Sequence, residues 1–170
     1  EGSKYSRLHS EEIRPKIGSR VLNSKKELLS GELAKDIHEL LEQRGVLVFP
    51  EINFDDQEQI AFTSTLGKFA KEIFGEEIYK ITLDAAQNAT AQYLKATFFW
   101  HFDGYMSPMP IRASLLSAKR LSPTGGNTEF CNTYSAYAAL PDDLKHQVEG
   151  LTAVHAMAST QLDFTPEPTY

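Results

Sequence analysis

The chain has 170 residues, of which 41% are apolar and 24% are charged, and its formal net charge is −6. This composition is typical of one soluble globular domain, and it excludes collagen-like, coiled-coil and disordered classes. The acidic balance provides no general attraction to nucleic acid or anionic lipid, so neither is expected as a partner. A single cysteine, Cys131, excludes an internal disulfide and a multi-thiolate metal site. No apolar run approaches the roughly 20 residues that span a bilayer, and the first residues contain no signal-peptide core, so a cytoplasmic location is expected.

The first 70 residues predict alternating strands and helices. Residues 31–45 predict a helix because apolar side chains recur at helical spacing before a glycine: Leu33, Ile37, Leu40, Leu41, then Gly45. Residues 46–49 are a short apolar run closed by Pro50, which predicts a buried strand. Asp55 and Glu58 have the spacing of a capping box, which predicts a further helix that ends at Gly67.

The rest of the chain favours strands. Alternating or β-rich segments predict strands at 77–83, 112–119, 127–132 and 151–157, with a turn at 123–126. Two short helices are expected, one at 135–140 and one from Pro141 to Glu149. This order favours an α+β or β-barrel-like core with flanking helices over a doubly wound parallel sheet.

One pair of residues, His101 and Asp103, has the chemistry of a metal site. In an extended segment, residues i and i+2 point to the same face, so imidazole and carboxylate can converge on one ion. Such a pair is two-thirds of the 2-His-1-carboxylate triad that holds non-haem Fe(II). By itself the pair is a weak signal, because an exposed or core-edge histidine is the commoner case.

The pair belongs to the second of three sequence segments that follow one another along the chain. They are Gly45–Phe49 followed by 59–62 and 66–67; Trp100-His101-Phe102-Asp103; and 125–131, GGNTEFC, followed by 136–141 and 149–151. From about residue 17 to 157, this sequence resembles the taurine/2,4-dichlorophenoxyacetate dioxygenase family of Fe(II)- and 2-oxoglutarate-dependent enzymes. The second segment matches the family's W-H-x-D, and the third is similar to its G-G-D-T.

The resemblance implies a fold and a ligand set. The fold would be α+β or mainly β, a double-stranded β-helix (jelly-roll, cupin-like) core with flanking helices. Residues 1–170 would form a single, incomplete domain, its N-terminal portion, with the C-terminal part missing from this chain. His101 and Asp103 would bind iron, and the Thr128 hydroxyl would bind a carboxylate of 2-oxoglutarate. The implied cofactors are Fe(II), 2-oxoglutarate as co-substrate, and O₂.

The implied activity couples oxidative decarboxylation of 2-oxoglutarate, to succinate and CO₂, with C–H hydroxylation of a small organic substrate. Asp103 argues against a halide-binding variant, which lacks this carboxylate. A desaturase, epimerase or oxidative decarboxylase of the same fold is an alternative. A homo-oligomer is compatible with family habit and with base rates.

A truncated, catalytically inactive binding module is the other alternative. It rests on the second iron-binding histidine and the 2-oxoglutarate arginine, which the family places in its C-terminal stretch. After Thr128 the histidines are His146 and His155, and no arginine follows Arg120. His146 is expected to be a surface residue and His155 a packing residue on a strand, so the third iron ligand is not present in this chain.

Three residues are candidates for substrate binding: Thr97, Phe99 and Tyr105. Thr97 stands where family members often have an asparagine that positions substrate, so neither taurine nor 2,4-dichlorophenoxyacetate can be assumed as substrate. Phe99 and Tyr105 share the parity of His101 and Asp103, which predicts that they line the same pocket.

Overall fold

The computed structural model describes residues 7–68, 77–82, 84, 86–87, 99–104 and 107–155. The chain divides into two compact units, one of residues 1–69 and 116–149, the other of residues 70–115 and 150–170. Within the described residues, every helix and strand belongs to the first unit.

A small mixed sheet lies near the start of the first unit. Strand β1 (Ser10–Arg14) pairs antiparallel with β2 (Ile17–Val21), and β2 pairs in parallel with β3 (Leu47–Val48). The prediction of a strand at 46–49 is confirmed in its two central residues. The expected burial of that strand is wrong, because β3 lies at the edge of the described sheet and Val48 is 40% exposed.

Three helices accompany the sheet: α1 (Lys25–Leu29), α2 (Ala34–Arg44) and α3 (Asp56–Leu66). The prediction of α2 is confirmed, and Gly45 follows its last residue. The predicted capping box of α3 is confirmed: the Glu58 amide donates to Asp55 Oδ1 at 2.8 Å, and the Asp55 amide donates to Glu58 Oε2 at 2.9 Å. These bonds satisfy amides that the first turn of a helix otherwise leaves unpaired.

The apolar core of the first unit is formed by side chains from β2, from the helices and from their connections: Val21, Leu28, Leu33, Ile37, Phe54 and Phe62. Phe62 is fully buried, and its ring lies 5.4 Å from that of Phe49 and 5.3 Å from that of Phe54. Burying a side chain of this size stabilises a fold by about 1.5–3 kcal/mol.

The β1–β2 hairpin is fastened to α2 by Arg44, whose side chain is 11% exposed. Its guanidinium donates to the carbonyls of Pro15 at 3.2 Å and Gly18 at 3.1 Å, to the Arg14 carbonyl, and to Ser19 Oγ at 3.2 Å. One side chain therefore holds both arms of the turn, as the five-donor fork of arginine permits.

Two short helices, α4 (Thr133–Ala138) and α5 (Asp142–Val148), confirm the predicted helices at 135–140 and 141–149. Asn132 caps α4, because its Oδ1 accepts from the Ser135 amide at 3.1 Å. Neither helix has a buried residue.

The strands predicted at 112–119 and 127–132 are wrong: these segments are irregular and mostly exposed. The described parts of the other two predicted strands, 77–82 and 151–155, also form no strand. Alternation of apolar residues gives a segment two faces, but a strand also needs a neighbour to complete its ladder of hydrogen bonds. The structure gives none of these segments such a neighbour among the described residues. Among the described residues, no helix has the length and apolar character needed to cross a membrane.

Candidate metal and 2-oxoglutarate sites

The ring of His101 is oriented by a backbone contact. Its Nδ1 lies 2.6 Å from the carbonyl oxygen of Phe99. A carbonyl oxygen only accepts hydrogen bonds, so Nδ1 carries a proton, and in the neutral form of the ring the lone pair lies on Nε2. Histidines that bind metals are held in this way, with one ring nitrogen donating to a carbonyl and the other free for the ion.

The Asp103 carboxylate faces that nitrogen. Its Oδ1 lies 3.6 Å from His101 Nε2, beyond the length of an ordinary hydrogen bond. Two ligands about 2.1 Å from one ion and at right angles to each other lie about 3 Å apart, so a small change of side-chain angle places both on a single ion. The side chains of His101 and Asp103 are 43% and 60% exposed, which leaves the pair open to an incoming metal ion.

Ser114 completes the orientation of the carboxylate. Its hydroxyl donates to Asp103 Oδ2 at 3.3 Å, which leaves Oδ1 to face the histidine. The two carboxylate oxygens thus have different partners, an arrangement suited to a ligand that gives one oxygen to a metal.

Gly104 allows the chain to turn directly after Asp103. Its φ is +75°, and a Cβ at this position would lie 3.2 Å from both the amide nitrogen and Cγ1 of Ile111. A side chain here would be strained and would also press against the returning chain. The turn and the close approach of Ile111 together bring the segment of Ser114 back to the carboxylate.

Thr128 lies in the first unit, in an open depression of about 570 Å³ formed by one turn and its flanks. Its lining residues are Leu121, Ser122, Gly125, Gly126, Asn127, Thr128 and Glu129. The predicted turn is confirmed, with Gly125 and Gly126 at φ +65° and +76°. Consecutive residues in this conformation favour glycine, which explains the pair before Asn127 and Thr128.

The other sequence-predicted residues differ in what the structure says of them. Phe99 is 56% exposed, and its carbonyl contacts His101. Thr97 and Tyr105 lie outside the described residues. The expectation that His155 packs on a core strand is wrong: it is exposed, and its ring meets that of Phe102 edge-on at 6.1 Å.

The structure brings together His101 and Asp103, the two candidate ligands from the sequence, and it adds Ser114, which the sequence did not indicate. Within the described ranges, no group of three or more His, Cys, Asp or Glu side chains could hold a metal ion. Ser114 gave no sequence signal, because a serine eleven positions from a carboxylate is unremarkable until the chain is folded.

Comparison with known proteins now assigns the chain to a class. Residues 9–169 match the model of the Taurine catabolism dioxygenase TauD, TfdA family. The chain belongs to this family.

Relatives and solved structures agree with the assignment. The chain is 31% identical over 166 residues to the alpha-ketoglutarate-dependent 2,4-dichlorophenoxyacetate dioxygenase of Burkholderia sp. (strain RASC), covering 87% of this chain and 56% of that protein. It is 29% identical to the alpha-ketoglutarate-dependent sulfate ester dioxygenase of Pseudomonas putida, covering 75% of this chain and 43% of the relative. The crystal structure of AAD-2 in complex with Mn(II) and N-oxalylglycine is similar with a TM-score of 0.77 and 26% identity, covering 95% of this chain and 57% of that one. The chain thus spans about half the length of the proteins it matches.

Proposed function

We propose that the protein is a non-haem Fe(II)- and 2-oxoglutarate-dependent dioxygenase acting on a small organic substrate. The observation that carries the proposal is the pair of His101 Nε2 and Asp103 Oδ1, 3.6 Å apart, with the other ring nitrogen already bonded to Phe99. A neutral imidazole and a carboxylate are ligands that non-haem iron uses. Bound iron would supply the oxidising chemistry that couples decarboxylation of 2-oxoglutarate, to succinate and CO₂, with C–H hydroxylation by O₂.

The chain's own residues divide the remaining tasks. His101 and Asp103 hold the ion, and Ser114 keeps the carboxylate turned so that Oδ1 faces the histidine. The Thr128 hydroxyl donates to a carboxylate of 2-oxoglutarate, a charge-assisted bond that is shorter and stronger than a neutral one. Its place in an open depression beside a two-glycine turn supports this role, since backbone without side chains leaves room for a ligand.

The substrate is assigned only by class. Phe99 and Trp100 precede the metal pair with exposed rings, which supports a substrate with an apolar part. Thr97 and Tyr105 are proposed as further substrate contacts on the sequence argument alone. The named substrates of the relatives, a phenoxyacetate and sulfate esters, are small organic molecules of this kind.

The complete domain is proposed to be a double-stranded β-helix. The described residues contribute a mixed sheet with helices, and the likeness to AAD-2 over 95% of this chain supports a jelly-roll architecture.

The test compares two histidine substitutions. His101→Gln keeps a polar side chain but removes the imidazole, and His146→Gln makes the same change at an exposed histidine of α5. Mn(II) affinity and 2-oxoglutarate-dependent succinate formation are measured for each. We expect His101→Gln to weaken Mn(II) binding by more than about 100-fold, because loss of a ligand exceeds the 10–100-fold loss caused by an outer-shell change. His146→Gln should match the wild type.

Ser114→Ala sharpens the test, with about a 10-fold loss of Mn(II) affinity expected because the carboxylate loses its orienting donor. Equal Mn(II) binding by wild type and His101→Gln would contradict the assignment of the ligands. A wild type that forms no succinate with any of a panel of substrates would contradict the activity. The mass of the product distinguishes hydroxylation, which adds an oxygen atom, from desaturation, which removes two hydrogens.

A further inference from the structure

The segment that carries Thr128 is attached at both of its ends to the N-terminal residues of the same unit. Before the segment, the Lys119 ammonium donates to the carbonyl of Phe54. After it, Asn132 Nδ2 donates to the carbonyl of Lys16 at 2.7 Å. Residues 120–131, which we name the threonine segment, therefore lie between two long-range side-chain bonds.

The first attachment point is firmly placed. Phe54 is 5% exposed, and its ring packs on Phe62 at 5.3 Å. The preceding carbonyl, that of Asn53, accepts from Lys25 Nζ at 3.0 Å, and the Lys25 ammonium also lies 5.7 Å from the centre of the Phe54 ring. Buried packing and a second lysine thus fix the backbone that Lys119 binds.

The second attachment point is firm for another reason. Lys16 lies in the β1–β2 turn, whose neighbouring carbonyls are held by Arg44. Asn132 reaches this turn with its amide nitrogen while its Oδ1 caps α4 at Ser135. A single side chain therefore connects the hairpin, the start of α4 and the end of the threonine segment.

Between the two attachments, the segment is exposed throughout. Its turn is shaped locally, because Ser122 Oγ donates to the Thr124 carbonyl at 2.7 Å and accepts from the Thr124 amide at 3.3 Å. Local bonds set the shape of a turn but not its position relative to the core. That position depends on how the ends of the segment are held.

We propose that Lys119 and Asn132 are positioning residues that hold the threonine segment ready for 2-oxoglutarate. The inference rests on the proposed role of Thr128. A ligand that binds a prearranged segment does not have to order it, so its affinity exceeds that for a loose one. Each bond lost should weaken 2-oxoglutarate binding without changing the metal ligands.

Four variants, two tests and two controls, separate positioning from other roles. Lys119→Met keeps the aliphatic stem and removes the donor, and Lys16→Met is its control, since it removes a lysine charge while keeping the Lys16 carbonyl. Asn132→Asp keeps the oxygen that caps α4 and removes the Nδ2 donor, because aspartate and asparagine cap helices equally well. Asn132→Ser, a neutral cap, shows whether the new charge of Asn132→Asp matters.

The experiment measures three quantities in the full protein: the Kd of 2-oxoglutarate with Mn(II) present, the Kd of Mn(II) alone, and the NMR order parameters of the backbone of residues 120–131 without ligand. Loss of one hydrogen bond should raise the Kd of 2-oxoglutarate about 5-fold. It should also lower the order parameters of the segment, because its backbone becomes more mobile. The affinity for Mn(II) alone should be unchanged, and Lys16→Met should match the wild type in all three.

Variants with lower order parameters in the segment that bind 2-oxoglutarate as tightly as the wild type would overturn the inference. So would order parameters equal to those of the wild type, because the attachments would then not hold the segment. A wild type with no affinity for 2-oxoglutarate would instead remove the proposed function on which the inference rests, a result distinct from the other two.

Discussion

Residues 7–68 contain all the large apolar side chains that are buried among the described residues, whereas Leu121, Phe130 and Val154 are 79%, 56% and 97% exposed. The first region builds its core from β2, helices and connections that follow one another closely along the chain. The second, residues 107–155, contains two short helices and irregular segments with apolar side chains at the surface. Contacts that are close in sequence form with little loss of loop entropy, and those of a sheet between distant segments require more.

The residues that stabilise the fold differ from those with a proposed chemical role. Phe62 and Arg44 stabilise the first region and carry no proposed catalytic task. The proposed ligands His101 and Asp103, like Thr128, lie in exposed segments held by a few specific hydrogen bonds. Binding groups are commonly placed on such segments, because an exposed segment can admit a ligand while a packed scaffold supplies rigidity.

The largest expected difference between the regions is in core packing. Phe62→Ala should lower the free energy of unfolding by about 3–5 kcal/mol, because it removes a fully buried ring and leaves a cavity. The same change at the 56% exposed Phe130 should alter it by only about 0.5 kcal/mol. Urea denaturation of both variants measures the contrast. Equal losses would mean that Phe130 is covered in solution and that the comparison fails.

A smaller effect is expected at the hairpin. Arg44→Met should lower the free energy of unfolding by about 2 kcal/mol, because several backbone acceptors lose a charged donor. Arg7→Met is the matched control, since the Arg7 and Glu32 side chains are 76% and 65% exposed and such ion pairs contribute about 0–1 kcal/mol. If Arg44→Met were as stable as Arg7→Met, the stability of the hairpin would not depend on the hydrogen bonds of the Arg44 guanidinium.

Local signals explain which parts of the fold could be predicted from sequence. The capping box at Asp55 and Glu58 predicted the start of α3, and the apolar stripe before Gly45 predicted α2, because each pattern acts within a few residues. The first short helix, α1, was missed although Ser24 and Glu27 form the same kind of box. Strands at 112–119 and 127–132 were predicted wrongly, because alternation specifies a face and says nothing about the neighbour that a strand needs.

The candidate site likewise has features that could be predicted from the sequence and features that could not. His101 and Asp103 could be selected because their spacing and surrounding motif are visible along the chain. The bond from Nδ1 to the Phe99 carbonyl and the contact from Ser114 could not, because they depend on how the backbone turns at Gly104. Long-range attachments such as that of Asn132 to Lys16 are also invisible, since their partners are defined only by the fold.

The smallest expected effect is a pH dependence at the surface of the first region. Lys25 Nζ donates to the Glu58 carboxylate at 2.6 Å and, with the Asp55 amide, lowers the pKa of Glu58 below its ordinary value of 4.5. A lowered pKa in the folded state stabilises the fold above the pKa of the unfolded chain, and this stabilisation is lost as the pH falls through the folded value. Glu58→Gln should therefore reduce stability at neutral pH and flatten its decline below about pH 4.5.

A double-mutant cycle identifies the cause. In a Lys25→Met background the ammonium that donates to Glu58 is absent. Glu58→Gln should then change the loss of stability at acidic pH much less than it does in the wild type. Chemical denaturation from pH 3 to pH 7 measures this loss. An equal change in both backgrounds would assign the lowered pKa to the Asp55 amide and the start of α3, and the link between α1 and α3 through Lys25 would then lose its electrostatic role.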